Sequence, residues 1–198
     1  MSAPASPPFA GSSSRPADLG ARRSLRARLR GGPIARAIAR VDVRLYRLLR
    51  EDAQSARLET PIRRFSSLGE HAGLWLVLGA TGATVDVARR PRWLRAVGAV
   101  LVAYVLNTAL KLVVRRKRPR LEQLPALIST PTSLSFPSAH ASSSFAAARA
   151  YSALIPGAPL YAVATAMALS RVYLGVHYPS DIAAGALLGT AVGAAGRR

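Results

Sequence analysis

The stretch "SRVYLGVHYPSD", Ser170–Asp181, stands between two strongly apolar segments and still holds an Arg, a His and an Asp. Ionisable side chains are costly beside hydrocarbon, and where they occur they line cavities, pair with one another or reach an interface. The flanking segments therefore decide the fold. Reading outward, five apolar segments lie near residues 72–88, 96–114, 139–155, 158–174 and 180–196, each about 17 to 19 residues, against the roughly 20 needed to cross a bilayer. Half of the residues are hydrophobic but only 6% are aromatic, a small-residue composition suited to closely packed membrane helices. The expected fold is all-α: a polytopic membrane helical bundle with about five transmembrane helices. Asp86, Arg149 and Arg171 interrupt these segments. Asp86 and Arg171 are near segment ends and can snorkel, whereas the more central Arg149 is expected to have an interior partner.

The connections place the polar residues. The second segment ends in "KLVVRRKRPR" (Lys111–Arg120), the third follows "FPSAH" (Phe136–His140), and the fourth ends in the opening stretch. One loop joins segments two and three, and "PGAP" (Pro156–Pro159) turns three into four, so all three polar clusters return to the same membrane face. That face gathers Lys111, Arg118, Ser138, His140, Arg171, His177 and Asp181. A phosphate dianion requires several charge-assisted donors, and Arg supplies a planar fork where Lys supplies a point charge. Backbone N–H groups at the Ser138–Ala139 step, at the head of a helix, add to them. Two imidazoles can divide nucleophilic attack from proton donation to a leaving oxygen. Asp181, four residues after His177, can orient one ring nitrogen.

"KLVVRRKRP", "PSAH" and "SRVYLGVHYPSD" resemble the three signature motifs of the lipid phosphate phosphatases, the type 2 phosphatidic acid phosphatase superfamily: Lys, six residues, Arg-Pro; Pro-Ser-Gly-His; and Ser-Arg, five residues, His, three residues, Asp. The resemblance covers roughly residues 70–196, in order. It implies a metal-independent phosphatase without a cofactor, in which Lys111, Arg118, Ser138, Ala139 and Arg171 bind phosphate. The catalytic set would be His177, His140 and Asp181: His177 attacks phosphorus, His140 protonates the leaving group and Asp181 supports His177. Ala139 stands where the family has Gly, which raises the question whether the turn requires positive φ. Within the family the sequence is most similar to short actinobacterial members that act on decaprenylphosphoryl-5-phosphoribose, a polyprenyl-linked precursor of arabinose donors for the cell wall. Undecaprenyl diphosphate, phosphatidylglycerol phosphate and phosphatidic acid are the alternative substrates. A vanadate haloperoxidase-like enzyme, which has a related site, and a non-catalytic lipid-binding scaffold are the alternatives outside that activity.

The N-terminal third is different. Residues 1–31, rich in Pro, Ala, Ser, Gly and Arg, are expected to be a disordered basic tail with no apolar leader segment. In residues 33–51, Ile34, Ile38, Val41, Leu45 and Leu48 recur at spacings of three and four, with Arg36, Arg40, Arg44 and Arg47 opposite. So many Arg exclude a span. An amphipathic interfacial helix on anionic lipid is expected, within a region 32–69 that precedes a membrane-embedded phosphatase domain at 70–198. The formal charge of +19 does not indicate a nucleic-acid partner, because fourteen of the 28 basic residues precede Glu70 and no aromatic residues alternate with them as stacking platforms. Without Cys there is neither a disulfide framework nor a thiolate metal site. An odd number of spans puts the polar face and the N-terminus on one side. The positive-inside rule then places the active face toward the cytoplasm of the plasma membrane, although "RRPRWLR" (Arg89–Arg95) pulls the other way.

Overall fold

The computed structural model describes residues 32–51 and 55–197; the expected disordered tail lies outside them. The chain divides into two units, residues 1–40 and 41–198. In the first, the described residues open helix α1; the account below concerns the second. The elements are α1 (Pro33–Glu51), α2 (Ala56–Ser67), α3 (Gly73–Val85), α4 (Arg90–Val114), α5 (Ala139–Tyr151), α6 (Gly157–Tyr173) and α7 (Pro179–Ala195), with single 3₁₀ turns at Glu70–Ala72 and Val87–Arg89. The fold is all-helical: among the described residues extended pairing is confined to isolated bridges such as Lys117 with Leu134.

Local sequence sets the boundaries. Ser138 has an extended backbone and its Oγ accepts from the Ala141 N–H at 3.5 Å, capping α5. Pro179 stands at the start of α7, and the Asp181 carboxylate reaches back to the Tyr178 N–H at 2.8 Å. Asp86 ends α3: its N–H donates to the Gly82 carbonyl at 2.9 Å, and its carboxylate caps the next turn by accepting from the Arg89 N–H and from Trp93 Nε1. This break makes α3 shorter than the segment expected from hydropathy.

Helix α5 is the centre, with α4, α6 and α7 packed around it. On α7, Gly185, Gly189 and Gly193 recur every four residues and face α5; a Cβ at Gly189 would stand 2.2 Å from the Ser142 carbonyl oxygen. Small residues thus let two backbones approach as they do in membrane bundles. The Ser142–Ser144 run serves this packing and adds polar ties. Ser142 Oγ donates to the Ser138 carbonyl and accepts from Asn107 Nδ2 at 2.9 Å, and Ser144 Oγ accepts from Trp75 Nε1 at 2.8 Å.

The exterior is apolar. Val105 is 64% exposed and Leu187 73%, with Val77, Leu101 and Leu112 similarly uncovered. Among the described residues one helix, Val87–Val114, is long and apolar enough to cross a membrane on its own, and its most apolar window is only 22% buried. A core helix of a soluble domain would be mostly buried, so this surface calls for hydrocarbon. Arg149 corrects an expectation. Helix α5 ends at Tyr151, so Arg149 lies in its last turn, half-buried, and its guanidinium has no hydrogen-bond partner among the described residues.

The bundle has two distinct ends. Leu127 N–H donates to the Leu174 carbonyl, joining loops 115–138 and 174–178 at one end, while Arg89 reaches the Leu154 carbonyl at the other. Helix α1 meets the first end by a face that periodicity did not single out. Val41, Leu45 and Leu48 are exposed, whereas Asp42, Tyr46 and Arg50, spaced by four, are buried. Arg50 Nη1 donates to Tyr46 Oη and to the carbonyls of Leu124 and Pro125 at 2.9–3.0 Å. The helix therefore has three stripes: an exposed apolar one, an Arg one and a buried polar one.

Candidate active site

At this end a cavity of about 260 Å³ is lined by Lys111, Arg118, Ala139, His140, Arg171 and His177. Three elements and two loops deliver them. Lys111 occupies the last turn of α4, His140 the first turn of α5 and Arg171 the last turn of α6. Arg118 and His177 come from the loops. Gly175, at φ 79°, makes the turn between Arg171 and His177 that a side chain would strain. Ala139 is outside the positive-φ residues, so the first turn of α5 accepts its methyl group without backbone strain.

His177 is fully enclosed. Its Nε2 faces Arg118 Nη1 at 3.3 Å, and its Nδ1 faces Asp181 Oδ2 at 3.6 Å, just beyond hydrogen-bond range. A guanidinium only donates, so Nε2 carries the lone pair and Nδ1 the proton, directed at the carboxylate. Burial, and then the cations Arg118, Arg171 and Lys111, hold the imidazole well below its usual range, leaving it neutral at physiological pH. Arg118 is fixed by donation to the Thr132 and Val176 carbonyls at 2.9 and 2.7 Å; burial lowers it to about 10, and it stays charged.

His140 Nε2 lies 3.1 Å from the Ser66 carbonyl oxygen, and Arg171 Nη1 donates to Ser66 Oγ at 2.8 Å. Because a carbonyl only accepts, Nε2 of His140 carries a proton. Two expected residues are behind the cavity wall rather than on it. Asp181 is buried beyond His177, and the Ser138 N–H donates to the Asp181 carbonyl at 3.0 Å.

Other wall residues were not singled out from sequence as part of the site: Glu70, Tyr104, Asn107 and Thr108, with the 129–132 loop. Asn107 precedes Lys111 by one turn, a spacing that could have revealed it. Ser66 carried no such signal. His71 also lines the cavity, with its Nδ1 3.1 Å from Tyr104 Oη. A neighbouring cleft of about 640 Å³ shares Arg118 and residues 129–132, giving room for a group larger than inorganic phosphate. Among the described residues no cluster of His, Cys, Asp and Glu is arranged to hold a metal ion.

An apolar-faced helical bundle whose cavity converges three cations on two imidazoles is the architecture of a membrane lipid phosphatase. The chain belongs to the PAP2 superfamily, whose signature matches residues 92–198. It is 44% identical over 147 residues to the decaprenylphosphoryl-5-phosphoribose phosphatase of Mycobacterium tuberculosis, covering 71% of this chain and 82% of that one. The protein of the same name from Mycolicibacterium smegmatis is 42% identical over 127 residues, covering 64% and 70% of the two chains. Among solved structures, Aquifex aeolicus LpxE superposes with a TM-score of 0.67 at 28% identity, covering 79% of this chain and 94% of that one. The transmembrane PAP2 type phosphatidylglycerolphosphate phosphatase of Bacillus subtilis shares the fold, with a TM-score of 0.66 at 21% identity over 92% and 94% of the two chains. This membership, with relatives named as phosphatases at 44% and 42% identity, makes the chain a phosphatase.

Proposed function

We propose that the protein removes the phosphomonoester of a polyprenyl-linked phosphoribose, decaprenylphosphoryl-5-phosphoribose, through a phosphohistidine on His177. The observation that carries the mechanism is the His177 environment: a neutral imidazole on the wall of a cavity that also holds Lys111, Arg118 and Arg171, with its Nε2 lone pair facing Arg118, a cation that a phosphate can draw away. The names of the mycobacterial relatives support the substrate.

Lys111, Arg118, Arg171 and the N–H groups at the head of α5 bind the phosphate oxygens and stabilise the charge that concentrates there in the transition state. Ser138, which caps that helix, holds the N–H groups in place. His177 Nε2 attacks phosphorus as the bond to the ribose oxygen breaks, and His140, entering the step as the imidazolium with a proton on each ring nitrogen, gives that oxygen its Nδ1 proton. The Ser66 carbonyl holds the Nε2 edge of His140, which leaves Nδ1 for this exchange. Water then attacks the phosphohistidine, His140 recovers the proton and phosphate departs. Asp181 stabilises the Nδ1 proton of His177 while it carries the phosphoryl group. No metal or other cofactor takes part, since the cations do the charge work.

The embedded domain begins near residue 70 and crosses the plasma membrane five times. Residues 32–69 lie at the interface, with the Arg stripe of α1 on anionic lipid. The active face is cytoplasmic, because the loops at that end carry Arg115 to Arg118 and Arg120 in addition to the Arg-rich helix. A cytoplasmic C-terminal reporter would contradict this orientation. The function is tested by phosphate release from full-length protein in detergent with EDTA, on a polyprenyl-linked phosphoribose and on phosphatidic acid. Release that persists in EDTA, stops in His177→Ala and prefers the phosphoribose is expected. Preference for phosphatidic acid overturns the substrate, and an active His177→Ala overturns the nucleophile.

A further inference from the structure

Asp42 is 2% exposed, on a helix outside all three motifs, and its carboxylate accepts three hydrogen bonds. Its Oδ1 accepts from the Ser180 N–H at 2.9 Å. Its Oδ2 accepts from Ser180 Oγ at 2.6 Å and from Arg116 Nη2 at 2.7 Å. Asp42 therefore supplies, from α1, the carboxylate that the N-terminus of α7 favours through its unpaired N–H groups and dipole. Arg116 continues the chain of contacts. Its Nη1 donates to Ser180 Oγ at 2.7 Å and to Asp181 Oδ1 at 3.0 Å, and its guanidinium lies over the Tyr178 ring, 4.2 Å from the centroid.

The consequence is for the carboxylate behind His177. Asp181 is 0% exposed, and each of its oxygens has a donor: Oδ1 has Arg116, and Oδ2 has the Tyr178 N–H. Oδ2 is also the oxygen that faces His177 Nδ1. A carboxylate held at both oxygens cannot turn about its last torsion, so its aim at the imidazole is set before substrate arrives. Arg116 can hold that oxygen because its fork is divided between two carboxylates, and Asp42 fixes the second prong. A lysine has no such fork.

We propose that Asp42 and Arg116 are positioning residues for the phosphatase reaction, acting through Asp181 on His177. The proposal rests on His177 being the nucleophile. Neither residue lines the phosphate cavity, so their effect falls on turnover rather than on substrate capture. It also gives α1 a second task, as the element that fixes the start of α7.

The test uses full-length protein in detergent, a polyprenyl-linked phosphoribose, and separate kcat and KM for Arg116→Gln, Arg116→Lys, Asp42→Asn, Asp181→Asn, the Arg116→Gln/Asp181→Asn pair and His177→Ala. Arg116→Gln and Asp42→Asn are expected to lower kcat about tenfold or more, with KM within about twofold, since each removes a charge-assisted contact. Arg116→Lys restores part of the loss. In the Asp181→Asn background Arg116→Gln has nothing further to act through, so it adds little. Wild-type kcat in Asp42→Asn and Arg116→Gln, a loss confined to KM, or a full additional loss in the Asp181→Asn background would each overturn the proposal. Asp42→Asn keeps the side-chain volume and gives a reading even where Arg116→Gln lowers the melting midpoint. An active His177→Ala is a separate result: it removes the nucleophile on which the proposal rests.

Discussion

Gly185→Ala is expected to cost activity that Gly193→Ala, with a similar cost in stability, does not, and the structure says why. An ideal Cβ at Gly185 would lie 2.6 Å from the Ser138 carbonyl oxygen, at the first turn of α5. Restoring ordinary contact, which begins near 3.4 Å, requires about 0.8 Å of separation between α7 and α5. That separation falls where the Ser138 N–H donates to the Asp181 carbonyl at 3.0 Å, which ties the helix head carrying His140 to the one carrying Asp181. A misplacement near 1 Å in a catalytic constellation costs on the order of a hundredfold, so kcat should fall by about that factor. Overpacking itself costs about 1–3 kcal/mol. Gly193→Ala is the control: its Cβ would meet the Ala146 carbonyl at 2.5 Å, a similar conflict two turns further from the site. Phosphate release at saturating lipid phosphate and thermal unfolding in detergent are measured for both variants. The reasoning predicts similar loss of melting temperature in the two and a large loss of kcat only in Gly185→Ala. Equal losses of activity, or full kcat in Gly185→Ala, would refute it.

Two further outcomes follow from buried polar groups. Burial and neighbouring cations depress His177, so the free enzyme keeps it neutral as pH falls through 6.5. The imidazole NMR signal that disappears in His177→Gln should therefore not titrate between pH 8 and 6, and a midpoint near 6.5 would contradict the assigned environment. Arg50→Ala leaves the buried Leu124 carbonyl and the partly buried Pro125 carbonyl without their donor and opens a cavity under α1. A loss of about 2–4 kcal/mol is expected, read as a lower unfolding midpoint in detergent; an unchanged midpoint would show that the carbonyls find other donors.

Much of the site was written in local spacing. Lys111 and Arg118 are seven residues apart, His177 and Asp181 four, and Arg171 and His177 six, with Gly175 allowing the turn between them. The chain order of apolar segments then forces these clusters to one end, because a helix that enters hydrocarbon must leave on the other side. The all-helical fold, the apolar exterior and six of the residues that line the cavity follow from those facts. Segment lengths followed less closely, since Asp86 and the turn after Tyr151 end helices by side-chain capping and packing that hydropathy does not register.

What tertiary structure decided is the second layer of polar contacts. Asp42, Arg116 and Ser66 are separated by long stretches of chain from the residues they hold, and in sequence each looks like an ordinary solvent-facing side chain. On α1 the hydrophobic period identified the exposed apolar stripe. The buried stripe of Asp42, Tyr46 and Arg50 is polar, and burial of polar groups follows from the availability of partners rather than from side-chain hydropathy. Those partners, Ser180, the Gly175 carbonyl and the Leu124 and Pro125 carbonyls, come into reach only when the bundle has closed.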